Sequence, residues 1–325
     1  MKNYSVKLYQ ENDCENWNAF IGQAKNATFL FHRDFMEYHK DRFQDFSLII
    51  MDKEKWVAVL PANVVGNHVF SHQGLTYGGL VYNEKIKLAS VILILKSVLF
   101  FLNTNNIEKL QLKLTPSIYH QKPAEELHYA LFLADAQLIR RDSMAVIDLA
   151  KPYCFSKIRK RGVKNGINNG LIIKEVDSFE EFWNEILISN LAQKHQAKPV
   201  HSLEEITKLK VLFPENIRQF NVYQNGVIVA GTTIFETENV AHCQYISGRE
   251  DKNDLGGIDF LFHHLIKEVY KNNLFFDFGI SNENQGRSLN DGLSYWKESF
   301  GASTIVQDFY EVESANYNLL DTVLI

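Results

Sequence analysis

A basic segment lies in the middle of the chain. It reads FSKIRKRGVKNGINNGLIIKEV over residues 155–176, and no acid occurs between Asp148 and Glu175. Its cations are Lys157, Arg159, Lys160, Arg161, Lys164 and Lys174. Such side chains could contact a nucleotide diphosphate, the backbone of a tRNA or anionic lipid head groups. A solvated helix face without a ligand is the alternative.

A glycine-rich turn, NDLGGIDF over residues 253–260, is a second candidate for anion binding. Gly256 and Gly257 allow backbone N–H groups to approach an anion, and the helix that follows favours negative charge at its N-terminus. Asp254 and Asp259 oppose an anion at this point. A plain strand-to-helix turn, capped by Asp254, is the alternative interpretation.

Two stretches of the first half could also contact a ligand. The loop SHQGLTYGGLV over residues 71–81 combines His72, Tyr77 and Gly79, in which glycine allows close backbone approach and the aromatic ring can stack on a base or sugar. The stretch FLFHRDF over residues 29–35 offers Arg33 to a phosphate. A glycine-rich hairpin and a helix-entry turn are the respective alternatives.

Composition narrows the class of protein. The chain has 325 residues, 46% of them apolar, and a net charge of −5, which argues against broad nucleic-acid binding. Three widely spaced cysteines and eleven histidines without metal-ligand spacing predict neither disulfides nor a metal site. The N-terminus lacks a signal-peptide pattern, and the apolar run 88–102 contains Lys96 and is too short for a membrane span. We therefore expect a cytoplasmic location and no membrane span.

The predicted elements follow the same order in both halves of the chain. Each half reads as a strand, two helices, a strand meander, a helix, a strand, a helix and a strand. Asn225-Gly226 predicts a hairpin turn inside the second meander, and Gly170 suits the position after a helix. We predict an α/β fold with mixed sheets and two domains, residues 1–151 and 152–325, joined by the basic helix.

This order, together with three stretches, resembles the Fem-like branch of the GNAT acyltransferases in tandem form. The stretches are SKIRKRGVKNGINNGLIIKEV (156–176), NLFFDFGISNE (273–283) and YWKESFGA (295–302). The chain is also similar to N-acyltransferases of nucleotide-linked amino sugars. The resemblance implies transfer of an acyl group from acyl-CoA to the amine of a dTDP- or UDP-linked amino sugar, in surface polysaccharide biosynthesis, without a metal.

Two other functions remain open at this point. One is an aminoacyl-tRNA-dependent peptidoglycan ligase of the Fem type. It ranks lower because the net charge is negative, no further basic face is evident and no long helical arm is present. The other is a degenerate, non-catalytic GNAT pair that serves as a binding module. The oligomeric state is not predicted.

The resemblance also implies roles for individual residues in the second domain, where two strands should diverge around the pantetheine arm of CoA. It implies Asp277 as a base or amine anchor and His195 as a second catalytic group. A structural carboxylate and a solvated helix end are their alternatives. The implied CoA-binding residues are Ser247, Gly248, Gly256, Gly257, Ser281, Asn282 and Lys297. The implied acceptor-binding residues are Arg33, His72, Tyr77, Gly79, Lys194, Gln244 and Tyr245.

Overall fold

The computed structural model describes residues 4–249 and 252–325. Its strands are β1 (Ser5–Leu8), β2 (Leu48–Asp52), β3 (Lys55–Leu60), β4 (Asn63–Val65), β5 (His68–Phe70), β6 (Val81–Tyr82), β7 (Lys109–Lys113), β8 (Gln137–Asp148), β9 (Ile172–Val176), β10 (Ile217–Gln224), β11 (Val227–Glu236), β12 (Val240–Gly248), β13 (Phe275–Ile280), β14 (Asn282–Glu283), β15 (Ser288–Leu289) and β16 (Ser303–Glu313). Its α-helices are α1 (Cys14–Ile21), α2 (Arg33–Met36), α3 (Leu88–Thr104), α4 (Glu126–Leu133), α5 (Lys157–Asn168), α6 (Ile188–His195), α7 (Leu203–Leu212), α8 (Lys252–Leu255), α9 (Gly257–His264) and α10 (Asp291–Glu298).

The first of two compact units contains the chain up to Asp142, with residues 285–287 and 306–325. Its strands form a sheet in the order β1-β2-β3-β6 and a second group in the order β4-β5-β7-β16. The apolar face of α3 fills the core between these strands and α4, through residues such as Val91, Leu95 and Leu102. Within the described residues no helix is long and apolar enough to cross a membrane.

The second unit contains residues 143–284 and 288–305. Its sheet has the order β8-β13-β12-β11-β10-β9, in which the β12–β13 pair is parallel and the other pairs are antiparallel. Phe262, Phe276 and Phe300 lie in the core that α9 forms against this sheet. α9 continues into a π-helical turn, Leu265–Val269, and another π-helical turn, Phe182–Leu187, precedes α6.

Glycines bring the basic helix α5 into backbone contact with the start of α9. A Cβ on Gly166 would lie 2.6 Å from Cβ of Phe260, and one on Gly256 would lie 2.0 Å from the carbonyl oxygen of Gly162. Arg159 on the same side of α5 forms an ion pair with Asp259. This face of α5 is therefore buried by close packing.

We expect Gly256→Ala to destabilise the second unit far more than Gly170→Ala. Both glycines have a positive φ (73° and 65°), so either alanine costs about 1–2 kcal/mol in backbone strain. Only at Gly256 does the new methyl group meet backbone, which adds about 1–3 kcal/mol of overpacking. Urea unfolding of the two variants measures the difference. Equal losses would contradict a backbone contact between α5 and α9 at Gly256.

The predicted α/β fold with mixed sheets is confirmed. The Asn225-Gly226 turn and Gly170 after α5 have the positive φ angles that such turns need. α2 is a single turn that ends at Met36, and a 3₁₀ turn follows over Glu37–His39.

The compact units differ in extent from the domains predicted at 1–151 and 152–325. Residues 143–151 lie in the second unit, because the end of β8 pairs with β13. Residues 306–325 lie in the first unit, because the end of β16 pairs with β7. The division of function between two domains stays a prediction.

Candidate active site

The sheet of the second unit opens where β12 and β13 diverge. The two strands pair at only three positions, the last of which joins His242 to Asp277. Beyond it β12 carries a bulge, since Cys243 and Tyr245 pair with adjacent residues of β11 and Gln244 has no opposite residue. β13 is irregular between Asp277 and Ile280, where it continues beside β8. Beyond His242 and Asp277 the two strands are therefore no longer paired with each other.

His242 and Asp277, at the last paired position of β12 and β13, form a histidine–carboxylate pair. Nδ1 of His242 lies 2.8 Å from Oδ2 of Asp277, and the side chain of Asp277 is fully buried. The backbone N–H of Gly279 donates to the other carboxylate oxygen at 2.7 Å. Because an ionised carboxylate only accepts hydrogen bonds, Nδ1 of His242 is the donor, which leaves Nε2 as a proton acceptor. This pair can carry out general acid–base chemistry.

Lys297 on α10 places a buried ammonium beside the same bulge. Its Nζ donates to the carbonyl oxygen of Gly279 at 3.0 Å and to that of Ile280, and the residue is 4% exposed. Burial lowers the pKa of Lys297 to about 8, against the opposing effect of nearby Cys243 and Asp277. Gly279 thus connects Asp277 and Lys297 through its N–H and its carbonyl group. A cation in this position can stabilise negative charge that develops in a reaction.

Cys243 is an unsuitable nucleophile. Burial raises the pKa of its thiol to about 12, and Oγ1 of Thr232 lies 3.3 Å from the sulfur. The thiolate is the reactive form of cysteine, so this side chain is inert near neutral pH. The residue packs in the core of the second unit.

Two buried polar atoms near the opening lack a hydrogen-bond partner among the described residues, although the side chain of Gln244 also bonds to Tyr245. Oε1 of Gln244 and Oγ of Ser281 are both buried and unpaired, and Ser281 is 3% exposed. Asn282, the next residue in the chain, does have hydrogen-bond partners: its Oδ1 accepts from the backbone N–H and from the hydroxyl of Ser143. Unpaired buried polar groups are uncommon, which makes Gln244 and Ser281 candidates for contact with a substrate.

The other residues predicted on β12 are held by partners within the unit. The N–H of His201 donates to the hydroxyl of Tyr245 at 3.1 Å, and burial raises the pKa of Tyr245 to about 12. Nδ2 of Asn190 donates to Oγ of Ser247 at 2.7 Å and to the carbonyl oxygen of Gly248 at 2.8 Å. These contacts give Tyr245, Ser247 and Gly248 a role in packing the helical layer against β12.

The predicted phosphate turn lies at the N-terminus of α9, and its glycines have a packing role. Gly256 approaches the backbone of Gly162, and Asp259 in the first helical turn pairs with Arg159. The contact with α5 therefore explains why the sequence has a glycine at position 256. Phosphate binding by Gly256 and Gly257 stays a prediction.

Arg33 lies in the first unit, where nearby acids compensate its charge. Its guanidinium donates to Glu37 at 2.6 Å and to Asp45, and it lies 3.8 Å from the ring centre of Tyr9. Only 3% of the residue is exposed. The structure gives the expected phosphate contact no support, because a guanidinium that is buried and paired has little capacity left for a ligand.

The loop that was predicted to touch a ligand is largely internal. Tyr77 is 2% exposed and its hydroxyl donates to Oγ1 of Thr28 at 3.0 Å. His72 is 4% exposed and stacks on His39 with ring centres 4.9 Å apart. Gly79 has a φ of 98° and packs near leucine side chains. These residues stabilise the first unit. Gly79 is required by its positive φ, and Gly74 and Gly78 by close contact with His39 and Ser71.

We expect His72 to make the first unit sensitive to acid. Burial, with smaller contributions from His39 and Arg33, lowers the pKa of His72 from 6.5 to about 3. Between pH 6.5 and about 3 the imidazole therefore binds a proton in the unfolded chain but stays neutral in the folded chain. The free energy of unfolding decreases as the pH falls through this range. Between pH 7 and pH 5 the loss is about 2 kcal/mol.

Urea unfolding at the two pH values tests this expectation. His72→Asn, which tolerates the positive φ of this position, should reduce the loss between pH 7 and pH 5, and His120, whose pKa burial lowers to about 4, accounts for part of the loss that remains. His68→Asn, four residues earlier on β5, is the matched control and should leave it unchanged. An unaltered pH dependence in His72→Asn would remove His72 as its cause.

Lys194 and His195 end α6, but their side chains lie outside the described residues. Their predicted roles in acceptor binding and catalysis stay predictions. Across residues 4–249 and 252–325, no group of three or more His, Cys, Asp or Glu side chains could hold a metal ion.

Sequence reasoning missed the partner of Asp277. His242 lies 35 positions earlier in the chain, and its alignment with Asp277 depends on the register of a parallel strand pair. Asn190 and Ser143 were also missed, since each reaches the site region through a tertiary contact. The only available signal was a histidine inside an apolar strand, followed by a polar stretch.

Comparison with solved structures identifies the fold. The chain is similar to FemX, with 9% identity, a TM-score of 0.67, and coverage of 98% of this chain and 99% of that one. It is similar to L-PGS from Bacillus licheniformis, with 12% identity, a TM-score of 0.62, and coverage of 97% and 96%. The C-terminal domain of a protein assigned as a lysylphosphatidylglycerol synthetase from Agrobacterium fabrum gives 12% identity, a TM-score of 0.55, and coverage of 81% and 83%.

The sequence itself gives no such match. No protein-family model matches it, and no curated protein matches it. At these identities the structural likeness shows a GNAT/Fem-like fold and nothing about substrate.

Proposed function

We propose that the protein is an N-acyltransferase whose reaction centre lies where β12 and β13 diverge. One observation carries the proposal: the His242–Asp277 pair and the buried ammonium of Lys297 meet around Gly279 at this opening. A proton acceptor and a fixed positive charge are the two groups that acyl transfer to an amine can use.

The reaction would proceed by attack of a neutral amine on the carbonyl carbon of an activated acyl group. A C–N bond forms, and the carbonyl oxygen becomes an oxyanion whose charge Lys297 stabilises. Nε2 of His242 takes the proton that the amine loses and then gives it to the leaving group as the bond from carbonyl carbon to leaving group breaks. Asp277 holds the imidazole in the required tautomer. Gln244 and Ser281 supply unpaired polar atoms for the acceptor.

The donor and acceptor that the sequence predicts are acyl-CoA and the amine of a dTDP- or UDP-linked amino sugar, in the cytoplasm, for surface polysaccharide biosynthesis. Supporting this choice is the resemblance of the chain to Fem-like proteins, among which N-acyltransferases of nucleotide-linked amino sugars use acyl-CoA. The glycine turn at Gly256 and Gly257 would then hold the CoA pyrophosphate.

An aminoacyl-tRNA-dependent transferase is the second candidate. The specific observation in its favour is the contact between Gly256 and Gly162. This contact explains the glycine at position 256 as a packing requirement, so the turn is not evidence for binding of a CoA pyrophosphate. The similar structures with the higher TM-scores are FemX and L-PGS, and a third is named for lysylphosphatidylglycerol.

A donor comparison tests the proposal. The purified protein is incubated with acetyl-CoA and UDP- or dTDP-linked amino sugars, or with a mixture of charged tRNAs and amine acceptors, and N-acylated products are detected by mass spectrometry. Product with one donor, lost in Asp277→Asn, is the expected result and selects the donor. Ligand binding without product from any pair would favour a non-catalytic module and contradict the proposed chemistry.

A further inference from the structure

Four cations form a stripe along the outer face of α5. Lys157, Lys160, Arg161 and Lys164 occupy positions i, i+3, i+4 and i+7, which lie along one face of a helix. All four are exposed. We call them the basic face of α5. It lies opposite the glycine face that packs on α9, so the packing fixes which way the charges point.

The basic face has no acidic partner within the described part of the chain. Arg159, on the inner side, is the α5 cation that forms an ion pair, with Asp259. The whole chain has a net charge of −5, so the rest of the molecule is more acidic still. Unpaired like charges on adjacent helical turns repel one another, which disfavours such a stripe unless an anionic partner compensates it.

Exposed isoleucines flank the stripe. Ile158 is 44% exposed, Ile167 is 62% exposed, and Ile172 at the start of β9 is 56% exposed. Cations bordered by large apolar side chains are typical of surfaces that lie in the interface of a membrane. A nucleic-acid surface more often carries aromatic or hydrogen-bonding side chains beside its cations.

We propose that the basic face of α5 docks the protein onto an anionic phospholipid bilayer. The lysines and the arginine contact lipid phosphates, and the isoleucines enter the boundary between head groups and acyl chains. The negative potential of such a surface decays within about 10 Å at 0.1 M salt, so the acidic remainder of the molecule is not repelled. An extended polyanion such as RNA would also approach the acidic part of the molecule, which disfavours its binding.

Co-sedimentation with vesicles tests the proposal. Vesicles of phosphatidylcholine with about 30% phosphatidylglycerol should bind the full-length protein, and pure phosphatidylcholine vesicles should not. Lys160→Gln combined with Lys164→Gln should weaken binding roughly 30-fold, since each cation near an anionic surface contributes about fivefold. Ile167→Gln should weaken it further, and raising the salt to about 0.5 M should abolish it.

The matched control removes the same number of positive charges from another part of the surface. Lys208→Gln combined with Lys271→Gln removes two exposed lysines elsewhere in the second unit and should leave vesicle binding unchanged. Equal loss in both double variants would show a net-charge effect and overturn the proposal. Binding to single-stranded RNA that outcompetes the vesicles would overturn it in favour of a nucleic-acid surface. His242→Gln should still bind vesicles, which separates this surface from the proposed chemistry.

Discussion

Replacing Lys297 with methionine is expected to lower turnover about 100- to 1000-fold. The ammonium of Lys297 is the buried positive charge beside the opening of the sheet, and it reaches Gly279 and Ile280 through hydrogen bonds. Methionine is one atom shorter and unbranched, and it removes the charge together with both hydrogen bonds. The rate of product formation with the active donor measures the effect.

The same residue predicts a basic limb in the pH–rate profile. Burial lowers the pKa of Lys297 to about 8, so the required charge is lost and the rate falls as the pH rises through that value. Lys297→Arg should move this limb to higher pH. Stability responds with the opposite sign, because between about pH 8 and pH 10.5 the unfolded chain binds more protons and stability rises with pH.

Lys113 provides a matched control. It is a half-buried lysine in the first unit whose pKa is also lowered to about 8, mainly by desolvation, and its Nζ donates to the carbonyl oxygen of Leu75. Lys113→Met should change stability and leave turnover near that of the wild type. Comparable rate losses in both variants would assign the effect of Lys297 to folding.

Replacing Asp277 with asparagine is expected to lower turnover about 100- to 10,000-fold while the fold persists. The carboxylate accepts from Gly279 at 2.7 Å and from Nδ1 of His242 at 2.8 Å. Asparagine keeps its oxygen for Gly279 and turns an N–H toward His242, which then carries its proton on Nε2. The imidazole remains in place with the wrong tautomer for a base.

His242→Gln should give a loss of similar size, and the double variant should lose little more than either single one, since the two residues act as a unit. The imidazole of His264 on α9 lies outside the pair, and His264→Gln serves as control. Thermal unfolding of each variant separates a chemical effect from a structural one. Full turnover in Asp277→Asn would remove the pair from the mechanism and leave proton transfer to the substrate or to water.

The sequence by itself determined the elements with strong local signals. The alternation of strands and helices, the positive-φ positions at Gly170 and Asn225-Gly226, and the buried helix at α3 all follow from residue type and periodicity. Asp277 and Lys297 were also identified, through the resemblance of the stretches 273–283 and 295–302 to Fem-like proteins.

Tertiary structure alone decided which polar residues meet. The register of the parallel β12–β13 pair brings His242 to Asp277, and the irregularity at Gly279 brings Lys297 to the same point. Burial decided the roles of Arg33 and His72, since the sequence could not show that acids and rings surround them. Local patterns encode the period of an element, whereas strand register and burial depend on contacts between residues that are distant along the chain.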